Sequence, residues 1–96
     1  MFARVRVTSG SADKVDEGAR HFQATVVGSY KDVPGFQGAY FLANRQTGKV
    51  IGITLWDTEE NMRATEKTSQ RLREAGSQVV SGTTPPPEEF EVLVQP

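Results

Sequence analysis

Two apolar runs joined by one short polar turn, over residues 35–56, constrain this chain more than any other stretch. Phe36, Tyr40, Phe41 and Leu42 precede the turn, and Val50, Ile51, Ile53, Leu55 and Trp56 follow it. Aromatic and β-branched residues suit a pleated, half-buried surface. Between the runs, Asn44, Arg45, Gln46, Thr47, Gly48 and Lys49 supply the polarity and the glycine of a reversing connection. The stretch therefore reads as a β-hairpin. In its second strand Ile51, Ile53 and Leu55 share one face, while Val50, Gly52, Thr54 and Trp56 share the other. In the first, Phe36, Gly38, Tyr40 and Leu42 alternate with Gln37, Ala39, Phe41 and Ala43. Neither strand has a wholly polar face, so the sheet is expected to be covered on both sides. Gly38 and Gly52 remove side chains in mid-strand and are expected to leave room beside it.

The flanks supply that cover. Residues 2–8 alternate as a strand, with Ala3, Val5 and Val7 on the apolar side and Phe2, Arg4, Arg6 and Thr8 opposite. Ser11 reads as a helix N-cap. From there Ala12, Val15, Ala19, Phe22 and Val26 form one helical stripe, with Gly28 and Ser29 as the stop and Tyr30 in the loop beyond. After the hairpin, Asp57 with Glu60 resembles a capping box and opens a helix over 58–75. Its inner stripe is Met62, Thr65, Ser69, Leu72 and Gly76, which is poor in large apolar groups. Val79 and Val80 suggest a short packing segment. Pro85, Pro86 and Pro87 make 81–87 a loop, and Phe90, Val92 and Val94 alternate as a final strand.

Composition narrows the classes of function. Ninety-six residues make one domain, 1–96, with a modest core at 36% hydrophobic content. Eleven Lys and Arg against twelve Asp and Glu, with no basic run, argue against a nucleic-acid partner. The absence of cysteine excludes disulfides, zinc–thiolate sites and a thiol nucleophile. Arg4 and Arg6 interrupt the amino-terminal stretch where a signal peptide needs an apolar run. No segment approaches the roughly 20 apolar residues of a membrane helix. A soluble, cytoplasmic protein without membrane contact is expected.

Strand, helix, strand, strand, helix, strand is the split βαβ order of a ferredoxin-like α+β fold. It implies a four-stranded antiparallel sheet with both helices on one face. The other face, too apolar for water, calls for a second copy of the chain. Gly35-Phe36-Gln37-Gly38, the hairpin, and Leu55-Trp56-Asp57-Thr58-Glu59-Glu60 leading into a helix resemble the antibiotic-biosynthesis-monooxygenase-like family. That resemblance implies a dimeric α+β barrel, paired through its sheets. It also implies a range of activities, from cofactor-independent oxidation of polyphenols and quinols to haem degradation. The haem-degrading branch carries an asparagine on the first strand and a tryptophan and a histidine in the second helix. None of these stands at the matching places here, which argues against haem degradation. The polyphenol-oxidising branch has an asparagine and a tyrosine where this chain has Gly52 and Met62, so that only Trp56 carries over.

Candidate site residues follow from chemistry. Trp56 is expected either to wall a pocket for a flat aromatic ligand or to anchor packing at the strand-to-helix junction. His21, the one histidine, is the side chain whose ordinary pKa lies nearest neutrality, which suits a base on a phenol; it also reads as a plain surface histidine. Tyr40 offers a phenolic hydrogen bond beside Trp56 or a core aromatic. Met62 stands in the tyrosine position, and Thr65 and Ser69 are placed to line a cavity with hydroxyls or to pack loosely. A metal site lacks partners for His21, and the acidic groups read as helix amino-terminal charge. Two functions are consistent with this set. One is a cofactor-independent monooxygenase acting on a phenolic or quinol-type aromatic; the other is a non-enzymatic homodimer that binds a small hydrophobic ligand.

Overall fold

The computed structural model describes residues 1–96. Four strands, β1 (Phe2–Ser9), β2 (Phe36–Ala43), β3 (Lys49–Trp56) and β4 (Glu88–Glu91), form one sheet in the order β2-β3-β1-β4. Every pairing is antiparallel. The fold is ferredoxin-like α+β, as the element order implies. The hairpin turn is held by Asn44, whose Oδ1 accepts from the backbone N–H of Gln46 and Thr47. Gly48 completes the turn at φ +81°, where a side chain would run into the Gly10 carbonyl.

The first helical arm begins with a 3₁₀ turn, Ala12–Lys14, and continues as α1 (Val15–His21). It widens into a π-helical stretch, Phe22–Val27, and closes as α2 (Gly28–Tyr30). Gly28 does not stop the helix. It stays in the right-handed helical region, and the helix carries Tyr30 into the core at 1% exposure instead of leaving it in a loop. Burial of that aromatic against Trp56 outweighs the weak helix-stopping tendency of one glycine.

The second arm is α3 (Glu59–Arg63) and α4 (Glu66–Val79), not one helix over 58–75. Thr58, one residue after the expected Asp57, caps α3 by accepting the N–H of Asn61 at 3.1 Å. The break between the helices has a local cause. The Met62 carbonyl accepts from the Thr65 N–H, the Thr65 hydroxyl and the Arg4 guanidinium. It is thereby withdrawn from the helical ladder. Gly76 lies within α4, which runs on to Val79, and Val80 packs beside Gly10 and Gly18.

Both arms cover one face of the sheet. Arg4, Arg6, Thr8, Val50, Thr54 and Trp56 are buried beneath them. Strand alternation and register put Val5, Val7, Ile51, Ile53, Leu55, Tyr40 and Leu42 on the uncovered face. The nominally polar side of β1 is thus the covered side. A bulge between Phe36 and Gly38, with Gly38 at φ +151°, reverses the expected β2 pattern. Phe36 turns in against Tyr30 and Trp56, while Tyr40 points outward at 58% exposure. Strand β4 ends at Glu91, before the alternation of Val92 and Val94 is used, and Leu93 and Val94 are exposed.

Candidate functional site

Trp56 lies at the base of the core, where β3 hands over to α3. Its ring sits edge-on to Tyr30 (5.1 Å between centroids) and to Phe36 (5.4 Å). It is wholly buried, and its indole Nε1–H donates to Thr54 Oγ1 at 3.0 Å. The N–H that a ligand would need is already used. Met62 packs in the same cluster at 1% exposure. Tyr40 is on the opposite face of the sheet, so Trp56 and Tyr40 do not grip one ring between them. The bulge at Phe36–Gly38 separates them.

The space between sheet and helices opens beside this cluster. A narrow chamber of about 50 Å³ runs between β1, β3, the first helical arm and α4. Phe22, Val26, Phe41, Val50 and Leu72 give it an apolar wall. Arg6, His21, Arg73 and the hydroxyl residues Thr8, Ser77 and Thr84 give it a polar one. Gly52 does not enlarge it, because the Phe22 ring fills the place of the missing side chain, 3.0 Å from where a Cβ would lie. The Phe22 and Phe41 rings stack at a tilt, 5.2 Å apart. Phe22 and Val26 both come from the π-helical stretch, a widened turn often found at functional sites.

Two polar features of the chamber differ. Thr84 Oγ1 shares hydrogen bonds with Thr8 Oγ1 (2.6 Å) and with Ser77 Oγ, which pins the proline-rich loop to β1 and α4. His21 Nε2, near Gly76, is buried with no hydrogen-bond partner. An imidazole nitrogen in that state is an open donor or acceptor beside the cavity. Arg6 is 8% exposed, and desolvation by burial holds its guanidinium below the ordinary value. The phenol of Tyr30 opposes that shift, while Arg4 and Arg73 reinforce it.

A wider polar cleft of about 500 Å³ adjoins the chamber at Arg73 and is lined by Arg4, Arg63, Glu66, Ser69, Gln70 and Glu89, with Pro86 and Pro87 at its edge. Ser69 Oγ is buried there without a partner. Thr65 lines neither space. Its hydroxyl accepts from Arg4 Nη1 at 2.8 Å and donates to the Met62 carbonyl at 2.7 Å. Of the six residues singled out from sequence, His21 faces the chamber and Ser69 the cleft. Trp56, Met62 and Thr65 build the walls behind them, and Tyr40 lies outside. Arg6 and Arg73 went unnoticed in the sequence. The available signal was the polar inner stripe of the second arm, which needed polar partners on the strand beneath it. No group of three His, Cys, Asp or Glu side chains comes together to hold a metal ion.

With this geometry the fold can be set beside known proteins. The chain superposes on a monooxygenase from the gene ActVA-Orf6 of Streptomyces coelicolor, solved with nanaomycin D, at a TM-score of 0.72 and 22% identity, covering 99% of this chain and 91% of that one. MhuD, a heme-degrader of Mycobacterium tuberculosis, matches at 0.72 and 20% identity, covering 99% and 98%. SnoaB, a cofactor-independent oxygenase of Streptomyces nogalater, matches at 0.64 and 14% identity, covering 98% and 94%. The structural neighbours of this chain are thus antibiotic-biosynthesis-monooxygenase-family proteins, and it has their ferredoxin-like α+β fold. No protein-family model matches the sequence. Two curated relatives, both uncharacterized proteins of Mycobacterium tuberculosis, are Rv2557 and Rv2558. Rv2557 is 27% identical over 92 residues, which are 96% of this chain and 41% of that protein. Rv2558 is 26% identical over 83 residues, 86% of this chain and 35% of that protein. The chain spans about two fifths of the length of these relatives.

Proposed function

We propose that the chamber between sheet and helices binds a small phenolic or quinol-type aromatic, and that the protein oxidises it with O2 as a cofactor-independent monooxygenase. The observation that carries this reading is the buried His21 Nε2, free of protein partners, beside an apolar wall containing Phe22 and Phe41. His21 takes the phenolic proton; the aromatic walls hold the ring and exclude water. The electron-rich anion passes an electron to O2, the two radicals combine at a ring carbon that bears hydrogen, His21 returns its proton to the peroxide, and water leaves. That carbon becomes a carbonyl with one oxygen atom of O2, and the other departs as H2O. The substrate supplies all four electrons. No step is assigned to haem.

The fold likeness supports this reading: SnoaB is a cofactor-independent oxygenase, and the ActVA-Orf6 monooxygenase was solved with nanaomycin D. The uncovered sheet face supports a homodimer, since Ile51, Ile53, Leu55, Tyr40 and Leu42 would otherwise meet water. Oxygen uptake with a panel of quinols and anthrones is the test. Turnover that falls at least about tenfold in His21→Ala supports the assignment. Turnover no greater than that of a His21→Ala, Trp56→Phe double variant contradicts it.

The same apolar wall fits a second reading. An aromatic ring needs a cavity nearer 150 Å³, so the walls must part to admit one. A binding protein that holds a small hydrophobic ligand without consuming it fits that constraint equally. A ligand that raises the melting temperature and is recovered unchanged would identify this function.

A further inference from the structure

We propose that the chamber takes an organic anion, whose oxygens sit on the guanidinium of Arg6 while its apolar part lies against Phe22 and Phe41. This rests on the chamber being the ligand site and narrows what occupies it: an aromatic carrying a carboxylate, or held as its phenolate. Arg4 and Arg6 stand two residues apart on the same face of β1 and are both buried, yet only Arg4 has side-chain hydrogen-bond partners in the protein. Arg4 donates to Thr65, to the Met62 carbonyl and to Glu89. Arg6 forms no ion pair or side-chain hydrogen bond, and it lies within the chamber wall. No Asp or Glu lines that chamber, whose other cation is Arg73. The chamber's hydroxyls, on Thr8, Ser77 and Thr84, are engaged with one another through Thr84. The Arg6 N–H groups are not sealed from solvent, but a guanidinium set in a largely buried wall without a counter-charge is still partly desolvated at a cost. Its planar fork matches the two oxygens of a carboxylate, or one oxyanion shared between two N–H groups. The lowered Arg6 pKa has the same physical origin. A ligand oxyanion restores the missing partner.

Calorimetric titration with sodium benzoate tests this, against benzyl alcohol as a neutral analogue of similar shape and sodium chloride at matched ionic strength. Wild-type protein should bind benzoate at least about tenfold more tightly than benzyl alcohol, with no response to chloride. Arg6→Met should weaken benzoate roughly tenfold to a hundredfold and leave benzyl alcohol unchanged. Its melting temperature without ligand should equal or exceed that of wild type, since an unpaired buried charge is removed. Arg6→Lys keeps the charge without the fork and should fall between the two. Equal binding of benzyl alcohol and benzoate, benzoate affinity that survives Arg6→Met, or no benzoate binding would each overturn the proposal. Benzoate is not oxidised, so the two readings fail separately. Benzoate binding without oxygen uptake removes only the oxygenase, and uptake without benzoate binding removes only the anion site.

Discussion

At Trp56, the ligand role and the packing role compete for one N–H. Thr54 already accepts it, and Tyr30 and Phe36 flank the ring. Trp56→Phe should therefore lower stability by about 1–3 kcal/mol, through lost volume and one lost hydrogen bond. In a domain of this size that is a fall of roughly 4–24 °C in melting temperature by scanning calorimetry. Ligand affinity should change less than about twofold. A large affinity loss with unchanged stability would return Trp56 to the pocket. Sequence made this tryptophan conspicuous because it is alone in the chain, but rarity does not distinguish a core anchor from a ligand wall. Arg6 shows the converse. Alternation assigned it to the polar side of β1, and a polar side ordinarily faces water. Burial of that side became visible only once the second arm, with its hydroxyl-rich stripe, was seated over it.

Among the elements, the hairpin, both helical arms and the strand order were legible because hydrophobic period and turn chemistry agree there. The irregular places were not. The bulge at Phe36–Gly38, the π-helical stretch and the break between α3 and α4 interrupt those periods, and at the break the distant Arg4 adds to the local Thr65 contacts on the Met62 carbonyl. The break depends on Thr65, which joins Arg4 to the Met62 carbonyl. Thr65→Val should cost about 1–3 kcal/mol by leaving Arg4 Nη1 short of a partner, with Thr65→Ser restoring most of it in urea denaturation. A second element-scale contact joins α1 to the hairpin turn, where Arg45 grips Asp16 with both guanidinium nitrogens at 3.1 and 2.9 Å. The hydrogen bond, and then the charge, of Arg45 hold the Asp16 carboxyl below its ordinary 3.8. A depressed carboxyl stabilises the fold above its unfolded pKa and loses that contribution as pH falls from 3.8 through the lower folded value. Asp16→Asn should thus lower the urea midpoint slightly at pH 7 and leave it unchanged at the acid end. An equal effect at both pH values would show that charge plays no part. Both side chains are exposed, at 69% and 64%, so salt should weaken the effect further.

On the scale of the molecule, the sheet has one covered and one bare face. Phe90, Tyr40 and Leu42 on the bare side are about half exposed. We expect a stable dimer by light scattering at micromolar concentration, with Tyr40→Asp and Leu42→Asp together shifting it to monomer. A monomeric wild type would refute that arrangement. No helix is long and apolar enough to cross a membrane. The two faces also separate the account's central claim from its alternative, because a ligand either enters beneath the helices or lies on the bare sheet. The direct measurement is amide and side-chain NMR during titration with an anthrone-type quinol under anaerobic conditions. Shifts concentrated at Arg6, His21, Phe41 and Thr84 are predicted. Shifts confined to Tyr40, Leu42 and Ile53, or none at all, would contradict the placement of the site.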